Sequence, residues 1–369
     1  MRVLSVMKKG GCSGFDNNRG GFAPVQEYPV QLDSPVSDGS VGFRSILNGQ
    51  RRSEFDVSDT ICVSDTNEVC QAVKQLFGGC TASSHFQTIE DGFEIFDTLY
   101  EGRNASYHRC ETDYHNKQHV LDVTLATARL IWGYQKQSSG ADILTDEEVV
   151  TGLLTALFHD VGYLRKKTET GVKHGAEFTK IHVSRGADFL ADLLKRQGMA
   201  CYSAEAKGLV HFTGYEKAIE SIETSSPKLR NLGYLIGTAD VIAQMADRTY
   251  LEKCENFLYP EFLLGGMCSQ KNSVGRDEVI YASSQELMAK TPAFMSSVIQ
   301  NRLVDAFQSS YRFVEACFQG SNLYLLSINK NFSYLTQQLN KNTISEQNSN
   351  TSSVLLRRNI TDSFGTQTP

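Results

Sequence analysis

The sequence predicts an all-α fold with an irregular arm at each end, and three observations carry that expectation. Apolar residues recur at three- and four-residue spacing through most of the stretch from 66 to 338, the period of one buried helical face. Start and stop signals punctuate it: Thr145 precedes Asp146, Glu147 and Glu148, and Gly198 follows Lys195, Arg196 and Gln197, as capping and the helix dipole favour. Neither a series of alternating strands nor an internal repeat competes with them.

Residues 1–60 are rich in Gly, Ser, Asp and Asn, hold Pro24, Pro29 and Pro35, and show no sustained apolar period. They read as a disordered arm. Helices are expected over 66–78, with Val69, Ala72, Val73 and Leu76 on one face, and over 85–101, with Phe86, Ile89, Phe93 and Phe96. More are expected near 114–135, 146–159, 174–197, 203–212, 227–247, 296–318 and 322–338, with 265–280 as a loop. The Asn-, Ser- and Thr-rich tail over 339–369 has no core pattern and reads as disordered. The body is then one helical domain over 61–338.

Composition narrows the function classes. The chain of 369 residues is 40% hydrophobic and 21% charged, the range of ordinary globular proteins. A net charge of −6 argues against a general nucleic-acid binder, which needs a basic surface. Nine cysteines, with no Cys-x-x-Cys pair, give no support to a zinc finger or a dithiol redox motif and fit a reducing compartment. Lys8 and Lys9 follow a short apolar stretch with no signal-peptide core after them, and the longest apolar helix segment, Leu232 to Ala246, is short and contains Asp240. A cytoplasmic protein without a membrane partner is the expectation; the sequence leaves its oligomeric state open.

The chemistry is concentrated in histidines and aspartates set in apolar, helix-patterned surroundings. His159 and Asp160 end the run from Val149 to Phe158, and an ionised aspartate there is costly unless a cation or partner satisfies it. His115 and His119 lie four apart in Tyr114-His115-Asn116-Lys117-Gln118-His119 and share a helix face. His182 stands four before Gly186, where a missing side chain lets another backbone or a metal cluster approach. His211 follows Gly208-Leu209-Val210, and Asp240 interrupts the apolar Leu235 to Ile242. Singly, each has an ordinary alternative: a surface or capping histidine, or a structural ion pair for Asp240. Imidazole and carboxylate are also the ligands of borderline and hard divalent cations.

In that order, His119, His159-Asp160 and Asp240 resemble the ligand set of the HD-domain superfamily of metal-dependent phosphohydrolases, over about residues 100–260. His182 and His211, at gaps of 22, 29 and 29 residues between Asp160 and Asp240, are similar to the histidines added by its two-metal members. The Tyr114-His115-Asn116-x-x-His119 motif, with Asp122-Val123, is similar to that of cyclic-nucleotide phosphodiesterases in the same superfamily.

The resemblance implies an HD-type helical bundle holding two divalent metal ions (Mn, Mg, Fe or Zn). It further implies hydrolysis of a small-molecule phosphate ester, a nucleotide or cyclic nucleotide above all. His119, His159, Asp160 and Asp240 would bind one ion, His182 and His211 would complete the other, and Asp160 would bridge them. His115 would be the general acid. A base-selecting glutamine has two candidates, Gln285 and Gln308. Tyr163 stands where members acting on cyclic dinucleotides carry Lys, and their Gly-Tyr-Pro signature is missing, which argues against such a substrate. Arg165, Lys166, Lys167 and Arg248 are either phosphate contacts or a solvated charge run; the solvated run is favoured for the first three. His85, His108 and His174 fall outside the pattern, His174 as a surface or capping residue, and Tyr114 and Asn116 order their helix. Two other readings remain: a diiron oxygenase of the same superfamily, and a non-catalytic nucleotide-binding sensor.

Overall fold

The computed structural model describes residues 52–78, 83–272 and 275–346. Helices dominate it, and the sheet content is one antiparallel pair, β1 (Ser269–Lys271) and β2 (Asp277–Val279), in which Gln270 faces Glu278. This hairpin lies within the segment expected as a loop.

The first helices are α1 (Thr66–Phe77) and α2 (Ser83–Tyr100), close to the spans the apolar period predicts. Asp65 caps α1 by accepting the Asn67 and Glu68 N–H groups. Helices α3 (Lys117–Gln137) and α4 (Asp146–Phe158) follow. Asn116 caps α3 through the His119 N–H, and Thr145 with Glu148 forms a reciprocal capping box on α4. The long helix expected over 174–197 divides into a 3-10 turn, Gly175–Phe178, and α5 (His182–Arg196). His174 is indeed a cap, accepting the Ala176 N–H on its Nδ1, and Gly198, at φ +77°, lies just past the end of α5.

Next come α6 (Ser203–Val210) and α7 (Pro227–Ala246), the latter begun by Ser226 as cap and Pro227 at its first turn. Helices α8 (Tyr250–Lys253) and α9 (Tyr259–Leu264) flank a π-helical turn, Cys254–Leu258. Helix α10 (Ser284–Val298) runs into a second π segment, Ile299–Ala306. The continuous helix expected over 296–318 is interrupted by Gln308 and Ser309 at positive φ, after which Ser310–Cys317 forms a 3-10 helix. Tertiary anchoring outweighs local periodicity here: Arg302 is buried and donates to the Phe212 and Gly214 carbonyls. Helix α11 (Leu323–Glu346) completes the described chain and extends past the expected end at 338.

The core forms where α3 packs against α4 and α7, filled by Leu121, Leu125, Leu130, Ile131, Leu153 and Phe158. Among the described residues no helix is long and apolar enough to cross a membrane, and seven cysteines carry free thiols.

Most of the arm expected over 1–60, and of the tail over 339–369, lies outside the described residues. The part of the arm that is described packs firmly. Asp56 is buried and accepts from Arg129 Nη2 at 2.6 Å and from the Thr60 and Ile61 N–H groups, while Arg129 Nη1 donates to the Tyr324 hydroxyl at 2.9 Å. This knot joins the start of the domain to α3 and α11. Its burial was hidden because the surrounding sequence is polar.

Removing one partner of a buried ion pair strands the other charge. Asp56→Ala should therefore cost about 3–5 kcal/mol, read by urea denaturation. A loss under 1 kcal/mol would show that water replaces the carboxylate freely.

Candidate metal centre

Four segments bring polar groups to one point. His119 is in the first turn of α3, where the Asn116 cap fixes the backbone. His159 ends α4 and Asp160 begins the 3-10 turn Val161–Tyr163. Because the chain leaves the α-helix between them, two consecutive side chains aim inward. Asp240 comes from the middle of α7 and His182 from the first position of α5.

The approach of α5 to the His-Asp turn depends on two glycines. A Cβ on Gly162 would lie 1.8 Å from the His182 carbonyl oxygen, and one on Gly186 would lie 2.9 Å from that of His159. The close approach read from Gly186 is therefore one backbone against another.

Asp160 is 2% exposed. His119 Nε2 lies 3.4 Å and His159 Nε2 3.2 Å from its Oδ2, and His182 Nε2 lies 3.6 Å from its Oδ1. Asp240 Oδ1 is 3.4 Å from His119 Nε2 and 3.8 Å from His159 Nε2. Yet Asp160 Oδ2 and His159 Nε2 are buried without a hydrogen-bond partner. Two donors about 2.0–2.2 Å from one cation stand roughly 3–3.5 Å apart, so the spacing and the orphaned atoms fit a shared metal ion. His119, His159 and Asp160 form a buried group whose ligand atoms all lie within 4.8 Å of one another.

The backbone fixes which nitrogen each imidazole presents. His159 Nδ1 donates to the Ala156 carbonyl at 2.7 Å and His182 Nδ1 to that of Thr179 at 2.8 Å, which leaves Nε2 of each free for a ligand bond. His211 is placed differently. It is 2% exposed, with Nδ1 unpartnered, at the end of α6, and it makes no ion-pair contact with Asp160 among the described residues.

His115 lines the adjoining cavity beside Asp160, His182 and Asp240. Its Nδ1 donates to Glu261 Oε2 at 2.7 Å, and Glu261 Oε1 also accepts the Tyr114 N–H. The Tyr163 ring stacks with both His115 and His182, at centroid distances of 4.7 and 4.2 Å. Burial alone would depress the His115 pKa, but the charge and hydrogen bond of Glu261 raise it above the ordinary value. Glu261, 3% exposed, was missed from sequence. Its signal was a lone acid within the apolar Phe257 to Leu264 stretch, the same kind that marked Asp240.

The chain matches no family model and no curated protein.

The basic residues after the His-Asp turn serve elsewhere. Arg165 makes a two-bond pair with Glu111, Lys167 donates to the Asn104 carbonyl, and Arg248 pairs with Asp59. None of these, nor Lys166, lines the cavity; nor do the exposed Gln285 and Gln308. Tyr114, in contrast, reaches α7 by donating its hydroxyl proton to Gln244 Oε1.

Burial lowers the pKa values of His119 and His159, but the Asp160 and Asp240 carboxylates reverse this and raise both to about 9. Without metal, protons thus balance the carboxylates. Stability from these raised pKa values is fully present below about 6.5, the unfolded value, and is lost as pH rises through about 9. The unfolding temperature of chelator-treated protein should fall across that window, and a divalent cation should restore it, since metal displaces those protons. A midpoint indifferent to both would dissociate the imidazoles from the carboxylates.

Proposed function

We propose that the protein is a metal-dependent phosphohydrolase of the HD-domain kind, acting on a phosphate ester of the nucleotide or cyclic-nucleotide class. The observation that carries this reading is the pairing of two unlike groups on one cavity. A buried imidazole-carboxylate cluster fitted to a cation lies beside a histidine held by its own carboxylate.

Bound divalent metal would supply an activated hydroxide and neutralise charge on the phosphoryl oxygens. His119, His159, Asp160 and Asp240 would hold one ion. Asp160 turns its second oxygen toward His182, which supports a second ion there; His211, buried with an orphaned nitrogen, completes that set in the proposal. The iron, manganese and zinc families all accept imidazole with carboxylate.

His115 performs the proton step. Glu261 occupies its Nδ1 and favours the charged ring, so Nε2–H is the proton available to a leaving alkoxide. Glu261 also accepts the Tyr114 N–H, which fixes the carboxylate relative to the ring it orients.

Asp160→Ala should abolish turnover on phosphate esters and strip most of the bound metal, measured by elemental analysis. His182→Ala should lower a two-ion stoichiometry toward one. Wild-type turnover in Asp160→Ala would reject the site.

His115→Ala should lower kcat about 10²–10⁴-fold, the range typical of a general acid, with metal content unchanged. The defect should shrink on nitrophenyl esters, whose leaving groups need little protonation. Equal loss on good and poor leaving groups would assign His115 to positioning, and loss of metal would make it a ligand.

A further inference from the structure

We propose that Asp122 is a positioning residue for the metal ligand His119, acting through one water molecule held between them. This rests on reading the imidazole-carboxylate cluster as a metal centre and is independent of the reaction catalysed there.

The three imidazoles around Asp160 are not held alike. His159 and His182 each anchor Nδ1 on the backbone carbonyl three residues before. His119 directs Nε2 to Asp160 and Asp240, and its Nδ1 has no hydrogen-bond partner among the described residues. A metal-bound imidazole is normally fixed by a bond from its second nitrogen. His119 thus lacks a bond that both its neighbours make.

The group that can supply it stands one turn along the same helix. Asp122 follows His119 by three residues on α3, and residues at that spacing share a face. Its Oδ1 is buried without a partner. Both side chains line a cavity of about 20 Å³, with Gln118, Asp247 and Lys253 among the other walls. One water needs roughly 10–15 Å³ and two to four polar partners, so the space suits a single water. Such a water accepts from His119 Nδ1–H and donates to Asp122 Oδ1. Asp247, the other carboxylate in the wall, already receives Lys253 Nζ and the Thr249 hydroxyl. The Lys253 ammonium and the ion on His119 both oppose a cation in the same space.

The arrangement costs the fold something. Burial, with the Asp247 and Asp56 charges, pushes the Asp122 carboxyl up to about 7 against the smaller pull of Arg129 and Lys253. Because the folded value exceeds the unfolded one, the cost grows from about pH 4 and is complete above about pH 7. What gains is the imidazole: a partner on Nδ1 fixes the tautomer that leaves Nε2 for the metal and raises the basicity of the ring. Structural and positioning roles therefore predict opposite signs when the carboxylate is removed.

The test is Co²⁺ binding to the full chain by competition with a chelator, with the visible spectrum of the bound ion as a second readout. Asp122→Asn, which keeps an acceptor, should weaken binding about tenfold. Asp122→Leu, which fills the space, should weaken it about 100-fold, the upper end for such outer partners. Both should shift the Co²⁺ absorption bands. The unfolding temperature of chelator-treated Asp122→Asn at pH 8 should equal or exceed that of the unaltered protein. Co²⁺ affinity and spectrum unchanged in both variants, with a lower unfolding temperature, would make Asp122 structural and overturn the proposal. So would a crystal structure of the Co²⁺-loaded protein in which His119 Nδ1 and Asp122 Oδ1 share no water. If the unaltered protein binds no Co²⁺, the metal reading falls and the Asp122 role with it. The expected binding pattern without ester cleavage would support that role and reject the hydrolase reading alone.

Discussion

The constraint on which this structure turns is the buried negative charge of Asp160. A carboxylate removed from water is tolerated only when opposing charge or donors surround it. Here the surroundings are imidazoles, each capable of accepting either a proton or a metal ion. The caps on α3 and α4, the 3-10 turn after His159 and the start of α5 all determine where those rings stand. Local rules at helix ends thus set the geometry of a centre assembled from distant parts of the chain.

A second carboxylate works in the opposite sense. Asp160 faces several nitrogens that share its charge, whereas Glu261 is devoted to one ring and two backbone N–H groups. Two acids in one region thus differ in their partners: Asp160 stands among imidazoles in a group that could hold a metal ion, and Glu261 holds a single imidazole. The π turn before Glu261 belongs to this arrangement. An extra residue in the turn changes the direction in which following side chains leave the helix, and such turns are frequent at functional sites.

Legibility from sequence followed the physics of each feature. The early helices were readable because caps and apolar spacing agree, as at Thr145 and Asp65. His119, His159, Asp160 and Asp240 were readable because polar residues in apolar runs require an explanation. The π segments were not, since their turn breaks the 3.6-residue period on which the reading depends. Glu261 went unnoticed for that reason, and the long helix expected beyond 296 broke at Gln308 and Ser309. Residues 52–60 read as part of a disordered arm by composition; Asp56 gains its meaning only when Arg129, distant in sequence, is beside it. Arg165 reads more readily as part of a solvated charge run than as a phosphate contact, and its pairing with Glu111, 54 residues away, is invisible to that reading.

The glycine seam between the His-Asp turn and α5 has a consequence for how the pocket can change. At Gly162 and Gly186 the two backbones meet with no room for a methyl group, so neither can slide along the other without collision. The wall carrying His159, Asp160 and His182 behaves as one block. The end of α9 is held in the same way, since a Cβ on Gly265 would lie 2.8 Å from the Ala176 carbonyl oxygen. Any rearrangement that widens the cavity therefore leaves the mutual spacing of His159, Asp160 and His182 as it stands.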